Sequence, residues 1–182
     1  AHRTLPRALR AAVAQHADRD ALVDSGVRLS YAELHEQVRT TARALAALGV
    51  EPGDRIGIWA PNCWQWVVAS LAALYTGVVV VPLNSRYTGH EAADIIRRTR
   101  ARAVFLADGF LGRRQYTELV DAAAEEAGAH GGTPLPGLPD TRAVIRLPYP
   151  QAPEVRAEGV VDFADLPEIA RRRTVEEIEE RA

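Results

Sequence analysis

The sequence predicts an α/β fold in which a parallel sheet is flanked by helices and a small β-hairpin lies near the N-terminus. Short β-branched and aliphatic runs alternate with amphipathic segments of about 10 to 18 residues, the pattern of βαβ units on a parallel sheet. With 182 residues, of which 47% are hydrophobic, the chain is large enough for a real core. We expect one α/β domain over residues 1–170 and a charged linker over residues 171–182.

The first thirty residues predict a helix followed by the hairpin. Apolar side chains recur at helical spacing over residues 4–15, which indicates a short amphipathic helix. Two short apolar runs, 21–24 and 27–29, flank Ser25 and Gly26. Such runs around a two-residue turn that contains glycine are typical of a β-hairpin.

Polar residues mark the starts of the next helices. Ser30 and Glu33, and again Thr88 and Glu91, are spaced as capping boxes, in which the two side chains satisfy free backbone donors at a helix start. Asn62 is a candidate N-cap for a helix between them. Further helical patterns cover residues 64–75 and 116–127.

Apolar runs between these helices predict the strands of the sheet. They cover residues 55–60, 78–81, 103–106 and 143–147, and a short edge element is expected at 160–163. The run at 78–81 consists of four valines and is typical of a central parallel strand.

Three other segments need an interpretation. Residues 128–140 are rich in glycine and proline, which predicts a mobile surface loop. From Arg171 onward the chain is almost all charge, which predicts a frayed helix or an unstructured linker. The uncharged run 66–83 is at the lower limit of a membrane span, but Thr76-Gly77 interrupts it, so helix, turn and strand explain it better and we expect no transmembrane segment.

Composition argues against several function classes. The chain has 22 basic and 24 acidic residues and a net charge of −2, so nucleic-acid binding is not expected. Cys63 is the only cysteine, which rules out an internal disulfide and a cysteine-based metal cluster and fits a cytoplasmic location. No histidine lies at metal-ligand spacing with another histidine or a carboxylate on a common helix face, so no metal site is expected.

The sequence contains no lysine and no methionine, and all 22 basic residues are arginine. Without lysine there is no phosphate-loop lysine of the Walker type and no Schiff-base nucleophile. No glycine-rich stretch matches a nucleotide-binding fingerprint either. We therefore expect no catalytic residue in this chain, and the lack of methionine leads us to expect that it was trimmed, processed or cut from something longer.

Three segments carry a family resemblance. They are Leu-Ser-Tyr-Ala-Glu-Leu at 29–34, the strand and turn at 53–62, and Leu-Tyr-Thr-Gly-Val-Val-Val-Val-Pro-Leu-Asn at 74–84. In this order they resemble the start of the adenylate-forming superfamily, which includes acyl-CoA synthetases, over about residues 4–108. Residues 58–69, followed by 82–88, are similar to actinobacterial fatty-acid-CoA ligases, especially those that activate propanoate side chains on steroid ring remnants.

The resemblance implies a two-step reaction in the parent enzyme. A carboxylate attacks ATP to give an acyl-adenylate and pyrophosphate, and the thiol of CoA then displaces AMP. This chemistry needs a glycine-rich loop with a lysine, Mg²⁺, and a mobile C-terminal domain with a second lysine, and the chain departs from the family in lacking them. ATP, Mg²⁺ and CoA are thus expected for the parent enzyme, and residues 1–170 correspond to the first subdomain.

Three residues are candidate site residues by the same resemblance. Arg86 occupies a position that approaches the CoA phosphates in similar ligases, and a guanidinium can bind phosphate through two hydrogen bonds. The alternative is a surface arginine paired with a neighbouring carboxylate. Asn62 and Trp64 either border a substrate entrance or serve in helix capping and core packing.

Two hypotheses about function follow. The leading one is the N-terminal portion of an acyl-CoA ligase that is inactive by itself and whose partners are the downstream domains, a carboxylic acid and CoA. The rival is a stand-alone binding or interaction module on the same scaffold, because a fold does not determine a function. Surfaces that would meet further subdomains are expected to be apolar, so we also expect the chain to self-associate.

Overall fold

The alternating apolar and amphipathic segments form a parallel sheet covered by helices, as predicted. The computed structural model describes residues 4–127, 135, 137–147, 149, 152, 154–179 and 181. The helices in this part of the chain are α1 (Leu5–His16), α2 (Tyr31–Ala47), α3 (Trp64–Tyr75), α4 (Gly89–Thr99), α5 (Gln115–Ala127), α6 (Leu166–Ala170) and α7 (Val175–Glu179). The strands are β1 (Asp20–Asp24), β2 (Val27–Ser30), β3 (Arg55–Trp59), β4 (Val79–Leu83), β5 (Ala103–Leu106), β6 (Ala143–Arg146) and β7 (Val160–Asp162).

The strands form two sheets. β1 and β2 pair antiparallel around Ser25 and Gly26, which confirms the predicted hairpin. The other five strands are all parallel and lie in the order β4-β3-β5-β6-β7. β7 is an edge strand of this sheet, as expected for the short element at 160–163.

Successive side chains of a strand point to opposite faces, and the core is divided accordingly. Ile56 and Ile58 of β3 pack on one face against side chains of α1, α2, α3, α6 and α7. Trp59 of β3 and Val104 of β5 pack on the other face against α4 and α5. Residues of the central strands are wholly buried on both faces, which explains why their sequences are continuous apolar runs.

The four-valine run does not form a central strand, and that prediction was wrong. β4 is at the edge of the sheet, and Val79 is exposed. Pro82 is compatible with this position, because proline lacks a backbone N–H and is found on edge strands. Valine content shows that a segment fits a sheet, but the order of the crossovers decides where it lies.

The two predicted capping boxes are present at α2 and α4. The hydroxyl of Ser30 accepts the N–H of Glu33, whose carboxylate accepts the N–H of Ser30. Asn62 was expected to cap α3, but the N-cap position is Cys63, which makes no side-chain capping bond. Instead Asp24, at the end of β1, accepts the N–H of Trp64 at 2.9 Å. The cap therefore comes from the hairpin and ties it to α3.

The charged C-terminal segment differs from the expected frayed helix or unstructured linker. α7 packs against α2, and Ile178 is buried in the core beneath it. The charged sequence of α7 did not predict this packing, because the residues that bury Ile178 lie elsewhere in the chain. The division of the chain into domains at residue 171 stays a prediction.

Two other sequence predictions, for the loop 128–140 and for the uncharged run 66–83, can be compared with the structure. Of the loop predicted at 128–140, residues 128–134 and 136 lie outside the described residues, whereas Leu135 and Leu138 are buried beside α4 and α5 rather than on the surface. The uncharged run 66–83 is divided between α3 and β4. Among the described helices, none combines the length and the apolar character that a bilayer span requires.

Candidate functional site

The carboxyl edge of the sheet is where the fold places a candidate site. The chain passes from β3 to β4 on one side and then crosses to β5 on the other, so the connections after β3 and β5 run to opposite faces. In open α/β sheets ligands bind outside the carboxyl ends of the strands at such a point. The loops that follow β3, β4, β5 and β6 all meet this edge.

Asn62 and Trp64 line one cavity at this edge. It has a volume of ≈ 220 Å³ and lies between the hairpin turn, the start of α3 and the segment after β6. Its lining consists of Asp24, Ser25, Val27, Asn62, Cys63, Trp64, Gln65, Leu147 and Tyr149. The structure thus brings the two predicted residues together at an opening, although neither contacts Arg86 in the described part of the chain.

Two side chains of this cavity, Cys63 and Tyr149, favour their protonated, neutral forms. Burial raises the pKa of the Cys63 thiol, and burial also raises the pKa of the Tyr149 hydroxyl. A protonated thiol is a poor nucleophile. In addition, no group of three metal-ligating side chains is found among the described residues. The cavity can accept a ligand, but its side chains do not form a reactive centre.

Trp64 also serves the packing role that was its alternative interpretation. Its ring stands edge-on to Phe163 with a centroid distance of 5.4 Å, and both side chains also line a second, largely apolar cavity of ≈ 340 Å³ between α2 and α6. Asn62 is exposed. Their part in a substrate entrance stays a prediction.

Arg86 lies on a short loop, residues 84–88, between β4 and α4. Asn84 shapes this loop, because its Oδ1 accepts the backbone N–H of Arg86 at 2.9 Å and its carbonyl oxygen accepts that of Tyr87 at 3.0 Å. The side chain of Arg86 is exposed, and no carboxylate of the described residues pairs with it. The guanidinium is therefore presented to solvent from a structured backbone.

Arg113 holds the 84–88 loop from the other side. Its guanidinium donates to the carbonyl oxygens of Ser85 at 3.4 Å and Tyr87 at 2.9 Å. The same group forms an ion pair with Glu118 on α5 and lies over the ring of Trp59, 5.6 Å from its centroid. Nothing in the local sequence distinguishes Arg113 from its neighbour Arg114, so the sequence analysis did not find this role.

A buried ion-pair network joins the carboxyl ends of β5, β6 and β7. Arg146 contacts Asp108 at 3.2 Å and Asp162 at 3.3 Å. Asp108 also accepts the backbone N–H of Tyr116 at 3.3 Å, which ties the network to the first turn of α5. Asp108 and Arg146 are 0% and 2% exposed, so their charges are stabilised by ion pairs and hydrogen bonds within the protein rather than by water.

A second polar cluster lies on the opposite face, where α7 meets α3. The Tyr75 hydroxyl lies 2.9 Å from Oε2 and 3.0 Å from Oε1 of Glu179, and Arg10 and Arg39 pair with the same carboxylate. Burial, reinforced by the Glu179 carboxylate, raises the pKa of Tyr75 to about 12. Because the single hydroxyl hydrogen of Tyr75 is given to Glu179, Nε2 of His35 acts as donor to the same hydroxyl oxygen at 3.2 Å.

Comparison with known proteins identifies the family. A profile described as "AMP-binding enzyme" matches residues 9–169. The chain belongs to the AMP-binding enzyme family. This agrees with the resemblance found in the sequence and confirms it.

The relatives within the AMP-binding enzyme family include CoA ligases. A 3-[(3aS,4S,7aS)-7a-methyl-1,5-dioxo-octahydro-1H-inden-4-yl]propanoyl:CoA ligase of Rhodococcus jostii is 36% identical over 98% of this chain. The ligase of the same name from Mycobacterium tuberculosis is 45% identical over 80% of this chain. Among solved structures, a benzoate CoA ligase from Burkholderia xenovorans matches 91% of this chain with 27% identity and a TM-score of 0.68.

The chain covers only part of each AMP-binding relative. It spans 32% and 26% of the lengths of the two propanoyl:CoA ligases and 28% of the benzoate CoA ligase. The match thus corresponds to one portion of these enzymes. The parallel sheet flanked by helices and the small hairpin are the fold shared with the structural relatives.

Proposed function

We propose that this chain is the N-terminal portion of an ATP-dependent acyl-CoA ligase. The observation that carries the proposal is the match to two propanoyl:CoA ligases over 98% and 80% of the chain. In the reaction, the carboxylate oxygen forms a bond to the α-phosphorus of ATP and pyrophosphate leaves. The CoA sulfur then forms a bond to the acyl carbon, and AMP leaves. A carboxylic acid with a propanoate side chain on a fused ring system is the substrate class that these relatives support.

We assign this chain a supporting role in that reaction. Arg86 fits one part of CoA, because an exposed guanidinium without a carboxylate partner in the described chain can donate two hydrogen bonds to a phosphate. ATP and Mg²⁺ supply the activated phosphate and offset its charge, and no lysine is present here to hold those phosphates. We therefore propose that the 182-residue chain by itself has no ligase activity.

Two assays test the proposal. The full-length protein, supplied with ATP, Mg²⁺, CoA and a bicyclic propanoate, is expected to release pyrophosphate and form a thioester, whereas the 182-residue chain is expected to release none above background. A full-length protein that binds these acids but never forms an adenylate would favour the rival, a binding module on this scaffold. The single-cysteine argument for a cytoplasmic location stays a prediction.

The Arg86→Ala substitution tests the CoA contact. Because the first step does not involve CoA, pyrophosphate release in its absence should be nearly unchanged, while the KM for CoA should rise about tenfold, the effect of losing one charge-assisted bond. Arg114→Ala is the matched control, since that side chain is exposed and contacts no described carboxylate. An unaltered dependence on CoA would remove Arg86 from the site.

We also propose that the isolated chain self-associates. Among the described residues, five large apolar side chains are exposed, and one of them, Val79, lies on the edge strand β4. Unpaired edge strands are prone to pair with another chain. Sedimentation velocity at increasing concentration should detect a dimer or a larger species, and a strictly monomeric profile would contradict this.

A further inference from the structure

We infer that Arg113 is the positioning residue of the proposed CoA-phosphate contact, since it fixes the loop from which Arg86 is presented. The inference rests on the proposed function of Arg86. It assigns to Arg113 no contact with CoA, ATP or the acid. Its role is to hold the backbone of the 84–88 loop, on which the direction of the Arg86 side chain depends.

The contacts of Arg113 are concentrated on that backbone. The two carbonyl oxygens to which it donates belong to Ser85 and Tyr87, the residues immediately before and after Arg86. A guanidinium has five N–H donors in a rigid plane, so one side chain can hold two carbonyls and a carboxylate at the same time. The loop is thus gripped on both sides of the residue it presents.

Arg113 is itself held in one position by three features of the fold. Glu118, in the first turn of α5, pairs with it, and the ring of the wholly buried Trp59 lies against its guanidinium. The start of α4 also contacts α5 very closely: a Cβ on Gly89 would lie 2.1 Å from the carbonyl oxygen of Glu118. These contacts leave the guanidinium little freedom to follow a moving loop.

Gln115 adds a weaker connection to the same loop. This side chain is wholly buried, and its Nε2 is 3.5 Å from the carbonyl oxygen of Ser85. The loop therefore has its own Asn84 turn on one side and the N-terminal part of α5 on the other. A binding group on such a rigid support loses little conformational freedom when the ligand arrives.

The kinetic test compares Arg113→Gln with Arg114→Gln in the full-length ligase. The first variant should raise the KM for CoA roughly tenfold, below the approximately hundredfold that a misplacement of 1 Å can cost, and should leave CoA-independent pyrophosphate release unchanged. Arg114→Gln should alter neither. If Arg113 only supported the fold, its substitution would lower the rates of both the CoA-dependent step and CoA-independent pyrophosphate release.

A double variant separates positioning from a direct contact. If Arg113 acts through Arg86, Arg86→Ala combined with Arg113→Gln should have the same KM for CoA as Arg86→Ala alone. If the two effects multiply, Arg113 acts independently and the inference is wrong. Should Arg113→Gln fail to fold, Arg113→Lys replaces it: one retained carbonyl bond predicts a smaller rise in KM, and no rise would overturn the inference.

A measurement on the 182-residue chain distinguishes this inference from the proposed function. In hydrogen exchange, the peptide covering residues 84–88 should exchange faster in Arg113→Gln than in Arg114→Gln or the unsubstituted chain. Unchanged exchange would show that Arg113 does not hold the loop, whatever the enzyme does. Faster exchange with no ligase activity in the full-length protein would refute the assignment of CoA while leaving the loop anchor in place.

Discussion

Asp108→Ala is the substitution that should damage this fold most clearly. The change removes the closer carboxylate partner of the buried Arg146 guanidinium and leaves its ion pair with the partly exposed Asp162 at 3.3 Å in place. Removing one member of a buried pair typically costs about 3 to 5 kcal/mol, because the other charge stays desolvated. The total stability of domains is only about 5 to 15 kcal/mol.

The expected loss can be measured in two ways. Urea unfolding followed by the fluorescence of the three tryptophans gives the change in free energy. Thermal unfolding should show a melting temperature lower by about 6 to 20 °C, since each kcal/mol shifts it by about 2 to 4 °C in a domain of this size. Asp94→Ala is the control, because its pair with Arg98 is exposed and should contribute at most about 0.5 kcal/mol.

A second substitution tests the reasoning and not only the size of the effect. Adding Arg146→Met to Asp108→Ala removes the buried charge that has lost its ion pair with Asp108 and keeps an apolar side chain of similar length, so the double variant should be more stable than Asp108→Ala alone. If Asp108→Ala costs no more than Asp94→Ala, or if Arg146→Met lowers stability further, the argument from desolvation is refuted.

Three further substitutions probe other parts of the fold. Asp24→Ala removes the cap of α3 and should cost about 1 kcal/mol in urea unfolding; a loss below about 0.3 kcal/mol would contradict that role. Gly89→Ala places a Cβ 2.1 Å from the carbonyl oxygen of Glu118 and should cost at least about 1 to 3 kcal/mol of stability, so an unchanged melting temperature would show that the helices can separate freely. Burial, followed by the charge of Arg39, lowers the pKa of His35, so the unfolded chain binds the proton first as the pH falls through about 6.5. Stability should therefore decrease from pH 7.5 to 5.5 more steeply in the unsubstituted chain than in His35→Gln, and equal slopes would refute this.

Local signals predicted most of the fold. Both capping boxes, the hairpin around Ser25 and Gly26 and the alternation of strands and helices are determined by residues within a few positions of each other. Such signals do not depend on how the chain is routed in space. The position of β4 does depend on it, which is why four valines gave the right kind of element and the wrong place in the sheet.

The side-chain contacts that the sequence did not predict are those between residues far apart in the chain. Asp24 caps a helix that begins 40 residues later, and Tyr75 bonds to Glu179 across 104 residues. His35 is not among the buried residues of α2, yet Tyr75 at the end of α3 lies against it. In each case the residue type was compatible with several partners, and only the packing of the elements selected one.

Long-range contacts also divide three arginines at the carboxyl edge, Arg86, Arg113 and Arg146, into two roles. Arg146, the last residue of β6, is neutralised by Asp108 and Asp162, while Arg113 is neutralised by Glu118. A guanidinium whose donors are already taken by carboxylates and carbonyls gains little from a phosphate, since the existing bonds must first be broken. Arg86 has its backbone fixed but its side chain unpaired by any described carboxylate. The first two therefore stabilise the edge, and Arg86 is the arginine of the three with capacity for an anionic ligand.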